Sequence, residues 1–410
     1  MMYRNFSKRQ LLAMTWWNRP EFADFEGIIC EGSIRSGKTL SMAVGFVLWS
    51  MTRFDNQVFG IAGRTVGALR RNVISHMSEW LEGLFTIEER ISDNRIVISC
   101  GARKNTYYLF GGFDEGSYKL VQGITLAGAL LDEVALMPRS FVEQLEGRCS
   151  VEGSKWWYNC NPEGPQHWFL LERVKPAAER KLLRLHFTMD DNLSLAPSIK
   201  ARYEAMYSGV FYQRYIQGLW TKAEGLVYPM FDRARHVKEP EPATLRARYY
   251  VSCDYGTLNP CAFGLWRLDQ GAAVMIREYY YDGRKRQRQK TDEEYYEDLV
   301  NFVGQTPIQQ IIIDPSAASF RATIRKHGRF SVRDAKNDVL DGIRFTATLL
   351  QSGVITFSPS CRETIAEFGA YAWDEKQQKD AVIKENDHSM DQMRYFAFTI
   401  LRREVNAGGK

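Results

Sequence analysis

The sequence of 410 residues contains no apolar run of the ~18 residues that a membrane-spanning helix requires, and its first residues show no leader pattern. We therefore expect a protein that neither lies in a membrane nor is secreted. Its seven cysteines are scattered and include no C-x-x-C pair, which argues against a zinc site and a disulfide framework. We expect reduced cysteines in the core of a cytosolic protein.

A large excess of charge of one sign is also absent. The 54 Lys and Arg residues exceed the 49 Asp and Glu residues by 54 − 49 = 5, which excludes a histone-like polycation and leaves a nucleic-acid partner open. Hydrophobic residues make up 45% of the chain, so it can bury large cores and is not expected to be disordered. The length favours two domains over one.

Internal repeats and long low-complexity segments are missing too, but the pattern changes at residues 221–246. Apolar periodicity fades there, and two prolines stand close together in Lys238-Glu-Pro-Glu-Pro. We predict a linker at 221–246 between an N-terminal domain, 1–220, and a C-terminal domain, 247–410.

The N-terminal part alternates short apolar runs with helix-length segments. This alternation predicts an α/β domain with a mainly parallel sheet flanked by helices. The predicted strands are 27–30, 58–62, 96–99, 107–110, 124–131 and 156–159.

The C-terminal part begins with successive strands and continues with a strand among helices. This order predicts an α/β domain with a mixed sheet. The predicted strands are 248–253, 262–268, 272–280 and 308–313, and the predicted helices are 292–303, 339–351, 362–370 and 389–403.

A glycine-rich segment follows the first predicted strand and precedes a helix-compatible stretch at 40–51. It matches the pattern G-x-x-x-x-G-K-[ST] in full, and we expect all eight residues to bind a nucleotide: Gly32, Ser33, Ile34, Arg35, Ser36, Gly37, Lys38 and Thr39. Backbone N–H groups of such a loop converge on phosphate oxygens at a helix N-terminus. Lys38 is expected on the outer phosphates and the Thr39 hydroxyl on Mg²⁺. The alternative is a chance match.

Two acids end the apolar run of the fifth predicted strand. An enzyme that hydrolyses a nucleoside triphosphate needs one acid at a strand end to hold Mg²⁺ and a neighbouring carboxylate to orient and deprotonate water. We assign the first role to Asp132 and the second to Glu133. The alternative is a pair that only caps the next helix.

Three further polar residues are candidates for the nucleotide site. Asn159 or Asn161, at the end of a predicted strand, is a candidate sensor of the γ-phosphate, and the alternative is a simple Asn-Pro turn. Arg35 is a candidate stabiliser of phosphoryl-transfer charge, or else a solvent-facing loop residue. Gln10 is a candidate adenine contact, or else part of a polar surface.

Acids also follow predicted strands in the C-terminal part. Asp254 and Asp314 each follow an apolar strand, and Asp387-His388-x-x-Asp391 opens a predicted helix. A buried charge at a strand end is costly unless it is paired or metal-bound, and converging carboxylates suit Mg²⁺ or Mn²⁺. Two such ions about 3.5–4 Å apart would activate water and stabilise the leaving oxygen of a phosphodiester. Only one of Asp387 and Asp391 is expected to touch metal. The alternative for the whole set is that these acids serve in strand-end turns and at a helix cap and bind no metal.

A basic run lies between the third predicted strand of this part and the following helix. DNA carries one negative charge per ~1.7 Å of axis, so a basic loop beside a metal site is predicted to contact the phosphate backbone of DNA. The alternative is a solvated loop. The candidate DNA-binding residues are Arg284, Lys285, Arg286, Arg288 and Lys290.

The order of these motifs resembles the large terminase subunit of tailed bacteriophages, over nearly the whole chain. Further residues that carry the resemblance are Asn159-x-Asn161-Pro, Gly164-Pro-Gln-His-Trp168, Gly218-Leu-Trp with Gly225-Leu-Val-Tyr-Pro, Asp254-x-Gly, Asp314-Pro and Asp391-x-x-Arg394-Tyr.

The resemblance implies an N-terminal RecA-like P-loop ATPase domain and a C-terminal RNase H-like nuclease domain. ATP hydrolysis would drive double-stranded viral DNA through a portal protein into the prohead, and the nuclease would cut concatemeric DNA. A homo-oligomeric ring on the prohead, formed from a chain that is monomeric in solution, would work with a small terminase subunit in the host bacterial cytoplasm.

The resemblance also implies roles for single residues. Lys38 and Thr39 bind ATP, Asp132 holds Mg²⁺, Glu133 is the catalytic base and Asn161 couples hydrolysis to movement.

The second set of acids receives roles in the same way. Asp254, Asp314 and Asp391 match the nuclease acids, which bind two Mg²⁺ or Mn²⁺ ions, with His388 as an accessory.

One departure from the family pattern concerns the arginine of the loop. Many relatives place it four residues before the lysine, where this chain has Ile34, whereas Arg35 stands three before. Arg148 or another residue is therefore an alternative to Arg35.

Two other function classes are compatible with the motifs. One is a helicase or repair ATPase without nuclease activity, which a strand-displacement assay would reveal. The other is a non-enzymatic, nucleotide-gated assembly adaptor, which would lack DNA-stimulated ATPase activity.

Overall fold

The computed structural model describes residues 5–256, 259–377, 379–385 and 387–407. They form two compact units. The first comprises the described residues up to Glu204 with Val210–Lys222, and the second comprises Ala205–Gly209 with the described residues from Ala223 onward.

The first unit is built on an eight-stranded sheet in the order β3-β4-β5-β2-β6-β7-β1-β8. The strands from β5 to β8 in this order are parallel, and β3 and β4 extend the sheet in antiparallel pairs. The strands are β1 Gly27–Gly32, β2 Val58–Gly63, β3 Thr86–Arg90, β4 Arg95–Cys100, β5 Arg103–Gly111, β6 Gly128–Asp132, β7 Lys155–Cys160 and β8 Leu182–Phe187.

Both faces of this sheet are covered by apolar clusters. Successive side chains of a strand point to opposite faces, and Ile28 and Ile29 accordingly belong to different clusters. Every residue of β1 and β6 is buried, as in a parallel sheet that is covered on both sides. The helices are α1 Lys8–Thr15, α2 Lys38–Arg53, α3 Val66–Leu69, α4 Ser75–Trp80, α5 Arg139–Arg148, α6 Pro197–Met206 and α7 Gly209–Phe211. The last two include residues of Ala205–Gly209, which belong to the second unit.

The second unit contains a six-stranded mixed sheet in the order β13-β12-β9-β10-β11-β14. Strands β9, β10 and β11 form an antiparallel meander, whereas β12 runs parallel to β9, β13 parallel to β12 and β14 parallel to β11. The strands are β9 Arg248–Asp254, β10 Cys261–Asp269, β11 Ala272–Tyr281, β12 Ile308–Ile313, β13 Val332–Asp334 and β14 Ile355–Phe357.

Helix α8, Arg233–His236, precedes the strands of the second unit, and the other helices described here lie between or after them. The last two are joined by a π-helical segment, Ala397–Leu401, so that the chain from 388 to 407 is one continuous helical stretch. The helices are α8 Arg233–His236, α9 Asp292–Val303, α10 Ala318–His327, α11 Val339–Gln351, α12 Arg362–Glu367, α13 His388–Phe396 and α14 Arg402–Ala407.

The predicted α/β class, the mainly parallel first sheet and the mixed second sheet are confirmed. Segment 221–246, predicted as a linker, contains the short helix α8 as its one helix or strand. Its residues from Ala223 onward belong to the second unit, where Tyr228 is buried against Tyr371. The predicted strand 124–131 begins too early, because residues 124–127 lie before β6. The predicted helix 362–370 ends too late, because residues 368–370 lie beyond α12.

Four observed strands, β3, β8, β13 and β14, were not predicted. Strand β3 is an exposed edge strand with the polar sequence Thr-Ile-Glu-Glu-Arg, and β13 and β14 have three residues each. Strand β8 carries the polar residues Arg184 and His186, which interrupt its apolar pattern. Both side chains contact the buried Glu31. No helix among the described residues is long and apolar enough to cross a membrane.

Candidate functional sites

The glycine-rich loop connects β1 to α2. Gly37 has φ +85° and Gly32 has φ +131°, both in the region that favours glycine. A Cβ atom on Gly32 would lie 2.8 Å from Phe187 N of β8. The sequence therefore folds here into a tight turn against β8 that presents the free N–H groups at the start of α2, an arrangement suited to an anion.

Lys38 lies under this loop and is buried. Its Nζ donates to Ser33 O at 2.6 Å and to Asn161 Oδ1 at 3.1 Å. Burial lowers the pKa of Lys38 to about 8, because the charged ammonium is removed from water. Asn161 thus contacts the lysine of the glycine-rich loop in addition to preceding Pro162.

Asp132 ends β6 directly beside Asn159 of the neighbouring strand β7. Asn159 Nδ2 donates to Asp132 and, at 2.9 Å, to Thr39 Oγ1, which lies 3.4 Å from Asp132 Oδ1. Burial and the adjacent charge of Glu133 raise the pKa of Asp132 to about 7.

These side chains supply the oxygen ligands that Mg²⁺ prefers. Asn159 Oδ1, in the same group, is buried without a hydrogen-bond partner among the described residues. The donor set of Thr39, Asp132 and Asn159 therefore fits a divalent cation.

Glu133 follows β6 in a left-handed conformation, with φ +60° and ψ +39°. This conformation costs a non-glycine residue about 1–2 kcal/mol, and it turns the chain out of the strand so that Glu133 lines the adjacent cavity. The alternative of a capping pair is wrong, because the side chain of Glu133 makes no capping bond and Asp132 bonds to Asn159.

The cavity has a volume of about 690 Å³ and lies in the first unit. Its walls include the loop from Ile34 to Leu40, both acids and both asparagines. One further wall was missed by sequence reasoning, because its residues follow no motif spacing and only the fold brings them to the loop. They are Arg71, Asn72, His76, Glu79 and Trp80.

Arg35 lines the same cavity but is exposed. Its Nε donates to Tyr203 Oη at 2.9 Å, and its guanidinium lies 5.3 Å from the centre of the Tyr203 ring. Arg148 ends α5 and is not among the residues that line this cavity in the described part of the chain.

Gln10 is buried, so the alternative of a polar surface residue is wrong. Its side chain accepts from Ser7 N at 2.9 Å and completes the capping box of α1. Its amide also lies against Gly37, where an added Cβ would overlap Gln10 Nε2. The residue therefore supports the phosphate loop from behind.

The candidate acids of the second unit meet where β9 and β12 end. Asp254 is the last residue of β9, and its Oδ2 lies 2.7 Å from His388 Nδ1. Burial raises the pKa of Asp254, an effect that His388 opposes and that the nearby charge of Asp391 reinforces. Burial disfavours the charged form of His388, but Asp254 outweighs it and the pKa of His388 is raised.

Asp314 follows β12 and is fully hydrogen-bonded. It accepts from Ser316 N at 2.7 Å, Asn337 Nδ2 at 2.8 Å and Tyr395 Oη at 2.7 Å. Burial alone would raise the pKa of this carboxyl group, but the donors, Ser316 foremost, hold it below its usual value.

Asp391 and Asp387 are held by cations. Asp391 Oδ1 lies 2.9 Å from Arg394 Nη2, and its Oδ2 lies 3.2 Å from Lys384 Nζ. The same ammonium lies 3.0 Å from Asp387 Oδ2. His388 and Asp391 thus contact different partners. Asp387 makes no side-chain capping bond to α13.

The metal ligands predicted in this unit are close but not preassembled. Among the described residues, no three Asp, Glu, His or Cys side chains are near enough together to hold one metal ion. The hard oxygen donors fit Mg²⁺ or Mn²⁺ chemically, and the ammonium of Lys384 occupies a cation position between two of them. Its side chain is 62% exposed and can withdraw into solvent.

The predicted DNA-binding run forms a loop after β11 in which most cations already face acids. Lys285 Nζ lies 3.6 Å from Asp282 Oδ2, Arg288 pairs with Glu294, and Lys290 pairs with Asp298. The loop therefore offers a DNA backbone less charge than its sequence suggests.

Comparison with known proteins finds similarity to large terminase subunits of bacteriophages. Residues 29–235 match the family model "Terminase large subunit, T4likevirus-type, N-terminal". The terminase large subunit of Escherichia phage T5 is 24% identical over 192 residues, a segment that covers 44% of this chain and 43% of the T5 protein.

Solved structures extend the similarity to nearly the whole chain. The large terminase of a thermophilic bacteriophage is 52% identical over 97% of this chain and 100% of its own chain, with a TM-score of 0.91. A second structure of that thermophilic phage protein, in complex with ADP, is 51% identical over 97% of this chain and 100% of that chain, with a TM-score of 0.86. The chain therefore belongs to the bacteriophage large terminase family.

Proposed function

We propose that this large terminase uses ATP hydrolysis in its first unit to move double-stranded viral DNA into a prohead, and cuts concatemeric DNA with its second unit. The observation that carries the proposal is the convergence of Lys38, Thr39, Asp132 and Asn159 at one cavity. We assign the ATPase domain to 1–220, the nuclease domain to 247–410 and the connection to 221–246. The large terminase of the thermophilic bacteriophage has been solved with ADP and with ATP-γ-S, which supports ATP as the nucleotide.

The phosphates of ATP would bind the free N–H groups at the start of α2. Lys38 would then exchange its contact with Ser33 O for the outer phosphate oxygens. Thr39 and Asp132 would hold Mg²⁺, which neutralises charge on the phosphates. Gln10 would fix the position of Gly37 behind the nucleotide.

The reaction itself would depend on the cavity wall formed after β6. Glu133 would orient the attacking water and accept its proton, while Arg35 stabilises charge on the transferred phosphoryl group. Asn161, which contacts Lys38, would detect loss of the γ-phosphate through that lysine.

The variant Glu133→Ala tests this assignment. ATP turnover should fall by roughly 10²–10⁴-fold, the usual contribution of a general base, whereas binding of a fluorescent ATP analogue should persist. Glu143→Ala, which removes an exposed carboxylate of α5, is the matched control and should leave turnover unchanged. Normal turnover in Glu133→Ala would remove this residue from the catalytic role.

For the nuclease we propose that Asp254, Asp314 and Asp391 hold two Mg²⁺ or Mn²⁺ ions, with His388 orienting Asp254. The ions would supply a hydroxide nucleophile and stabilise the leaving oxygen. The residues of the chain would position the ions: Tyr395 fixes Asp314, and Arg394 fixes Asp391.

The partners follow from the proposed packaging role. We propose a homo-oligomeric ring on the portal protein of the prohead, together with a small terminase subunit, in the host bacterial cytoplasm. Light scattering should give a monomer for the isolated chain, and purified proheads should stimulate its ATP turnover. A prohead preparation that leaves turnover unchanged would contradict the docking proposal.

A further inference from the structure

A second basic surface lies in the nuclease unit, away from the predicted DNA-binding run. It is a groove of about 430 Å³ whose walls carry four cationic side chains. These are Arg325 at the end of α10, Arg333 in β13, Lys336 directly after β13, and Arg403 in α14. We call it the basic groove.

The charges of the basic groove are not neutralised within the described part of the chain, where none of the four cations forms an ion pair with a carboxylate. The one acid in its wall, Asp334, pairs instead with Arg321 at 2.6 Å. Burial, followed by the charge of Arg403, lowers the pKa of Arg333. Burial and the neighbouring arginines likewise lower the pKa of Lys336 and outweigh the opposing charge of Asp338.

Like charges gathered in this way repel one another, which costs folding free energy unless a bound anion compensates. The predicted run 284–290 differs, because Lys285, Arg288 and Lys290 face carboxylates of the same unit. The basic groove thus offers an anionic ligand more unpaired charge than the run does.

The basic groove is physically continuous with the candidate nuclease acids. Lys336 N donates to Thr399 Oγ1 at 3.0 Å, and the next residue, Asn337, donates to Asp314 Oδ2 at 2.8 Å. Asp391, Tyr395, Thr399 and Arg403 recur every four residues along the last helical stretch, so each is a neighbour of the next on the helix surface.

The distance along this side suits a polyanion of regular spacing. At about 1.5 Å per residue, Arg403 lies roughly 18 Å along the helical stretch from Asp391. This length corresponds to roughly five base pairs of DNA, at ~1.7 Å of axis per phosphate charge. A duplex whose backbone reaches the acids therefore has further phosphates at the distance of the basic groove.

We infer that the basic groove binds the phosphate backbone of double-stranded DNA next to the site of cutting. This inference rests on the proposed nuclease function and adds a substrate-holding surface to it. The contacts are charge contacts to phosphates, so the groove holds any sequence and sets affinity and its dependence on salt.

The test measures the salt dependence of DNA binding by the full chain. The variant Arg333→Gln/Lys336→Gln/Arg403→Gln removes three charges while keeping a polar side chain with an aliphatic stem at each position. The probe is a fluorescein-labelled duplex of mixed sequence, about 30 base pairs long so that it extends well past the groove, titrated by fluorescence anisotropy in EDTA at several KCl concentrations. The matched control, Arg233→Gln/Lys238→Gln/Arg246→Gln, removes three exposed charges elsewhere in the second unit.

We expect the slope of log affinity against log salt to become shallower by roughly 2–3 in the groove variant, since each lost phosphate contact contributes about 0.9. Affinity near ~100 mM salt should fall by at least roughly tenfold, and the control should change both quantities less. Equal unfolding temperatures establish that each variant is folded. The single variant Arg403→Gln, with an expected change in slope of roughly 1, keeps the inference falsifiable if the triple variant does not fold.

A wild-type slope in the folded groove variant would overturn the inference and leave an acidic protein segment as the alternative occupant. An equal change in the control would overturn it as well, because net charge alone would then explain the loss. Metal-dependent plasmid cutting by the wild-type chain is measured in parallel. If the wild type cuts DNA and the groove variant binds it normally, only the basic groove fails, whereas a wild type that neither binds nor cuts DNA would also contradict the proposed function.

Discussion

At the level of single residues, two lysines have protein partners that ligand binding would change. Lys38 Nζ donates to Ser33 O and Asn161 Oδ1, and Lys384 Nζ lies between Asp387 and Asp391. A metal ion would replace the Lys384 ammonium at these carboxylates, whereas phosphate oxygens would replace the protein oxygens as partners of the Lys38 ammonium. Both lysines must therefore change partners when nucleotide or metal binds.

The variant Lys384→Ala should bind divalent metal more tightly. The ammonium competes with metal for Asp387 and Asp391, but its exposure limits the pair to about 1 kcal/mol, so affinity should rise roughly fivefold. Mn²⁺ binding to the full chain can be followed by electron paramagnetic resonance, and Lys376→Ala is the matched control. Unchanged Mn²⁺ affinity in Lys384→Ala would show that this lysine does not compete with metal.

At the level of elements, the junction of β1 with α2 depends on close packing against β8. Gly32 and Phe187 are paired in register across these strands, and the backbone of Phe187 leaves no room for a side chain at residue 32. The phosphate loop is thus shaped by a strand that lies about 150 residues later in the chain.

The variant Gly32→Ala should lower the free energy of unfolding by more than about 3 kcal/mol, because the new Cβ adds a backbone clash to an unfavourable φ. Gly123→Ala is the matched control: Gly123 has φ +76°, but nothing lies within 4 Å of the added Cβ. It should cost about 1 kcal/mol. Urea unfolding of both variants measures the difference, and equal losses would contradict the steric argument.

Helix α13 has a corresponding role in the second unit. It carries His388, which contacts Asp254, and Tyr395, which contacts Asp314, as well as Asp391 and its partner Arg394. One helix therefore orients acids that come from two different strands, and its position decides whether the three acids can reach a common ion.

At the level of the whole molecule, the two candidate sites are built from separate sets of residues in separate units. The nucleotide site uses the loop after β1 with the ends of β6 and β7, and the nuclease site uses the ends of β9 and β12 with α13. The residues assigned to one site are not assigned to the other, so each activity should be removable alone.

The variant Asp314→Asn should reduce Mn²⁺-dependent plasmid cutting by the full chain to background, because it weakens the metal site while keeping a side chain of similar shape. ATP turnover should remain at the wild-type rate. Glu133→Ala should show the reverse pattern. Loss of both activities in either single variant, with the unfolding temperature unchanged, would contradict the separation of the sites.

Much of the nucleotide site could be predicted from the sequence because its chemistry is local. The pattern from Gly32 to Thr39 contains both the glycines for the turn and the side chains for the phosphates, and Asp132 and Glu133 directly follow an apolar run. Strands β9 to β12 were predicted for a similar reason, since their apolar patterns lie within single segments. Edge strands such as β3 were missed because one exposed face removes that pattern.

Sequence alone therefore determined the strands with a strong apolar pattern, the glycine-rich loop and the acids at strand ends, because these depend on neighbours along the chain. Only the tertiary structure decided which distant groups meet them. It placed Asn159 on Asp132, a second wall around Arg71 on the nucleotide cavity, and Lys384 between two acids. It also gathered Arg333 and Arg403 into one groove. The physical reason is that strand order and helix packing bring together residues whose separation along the chain carries no periodic signal.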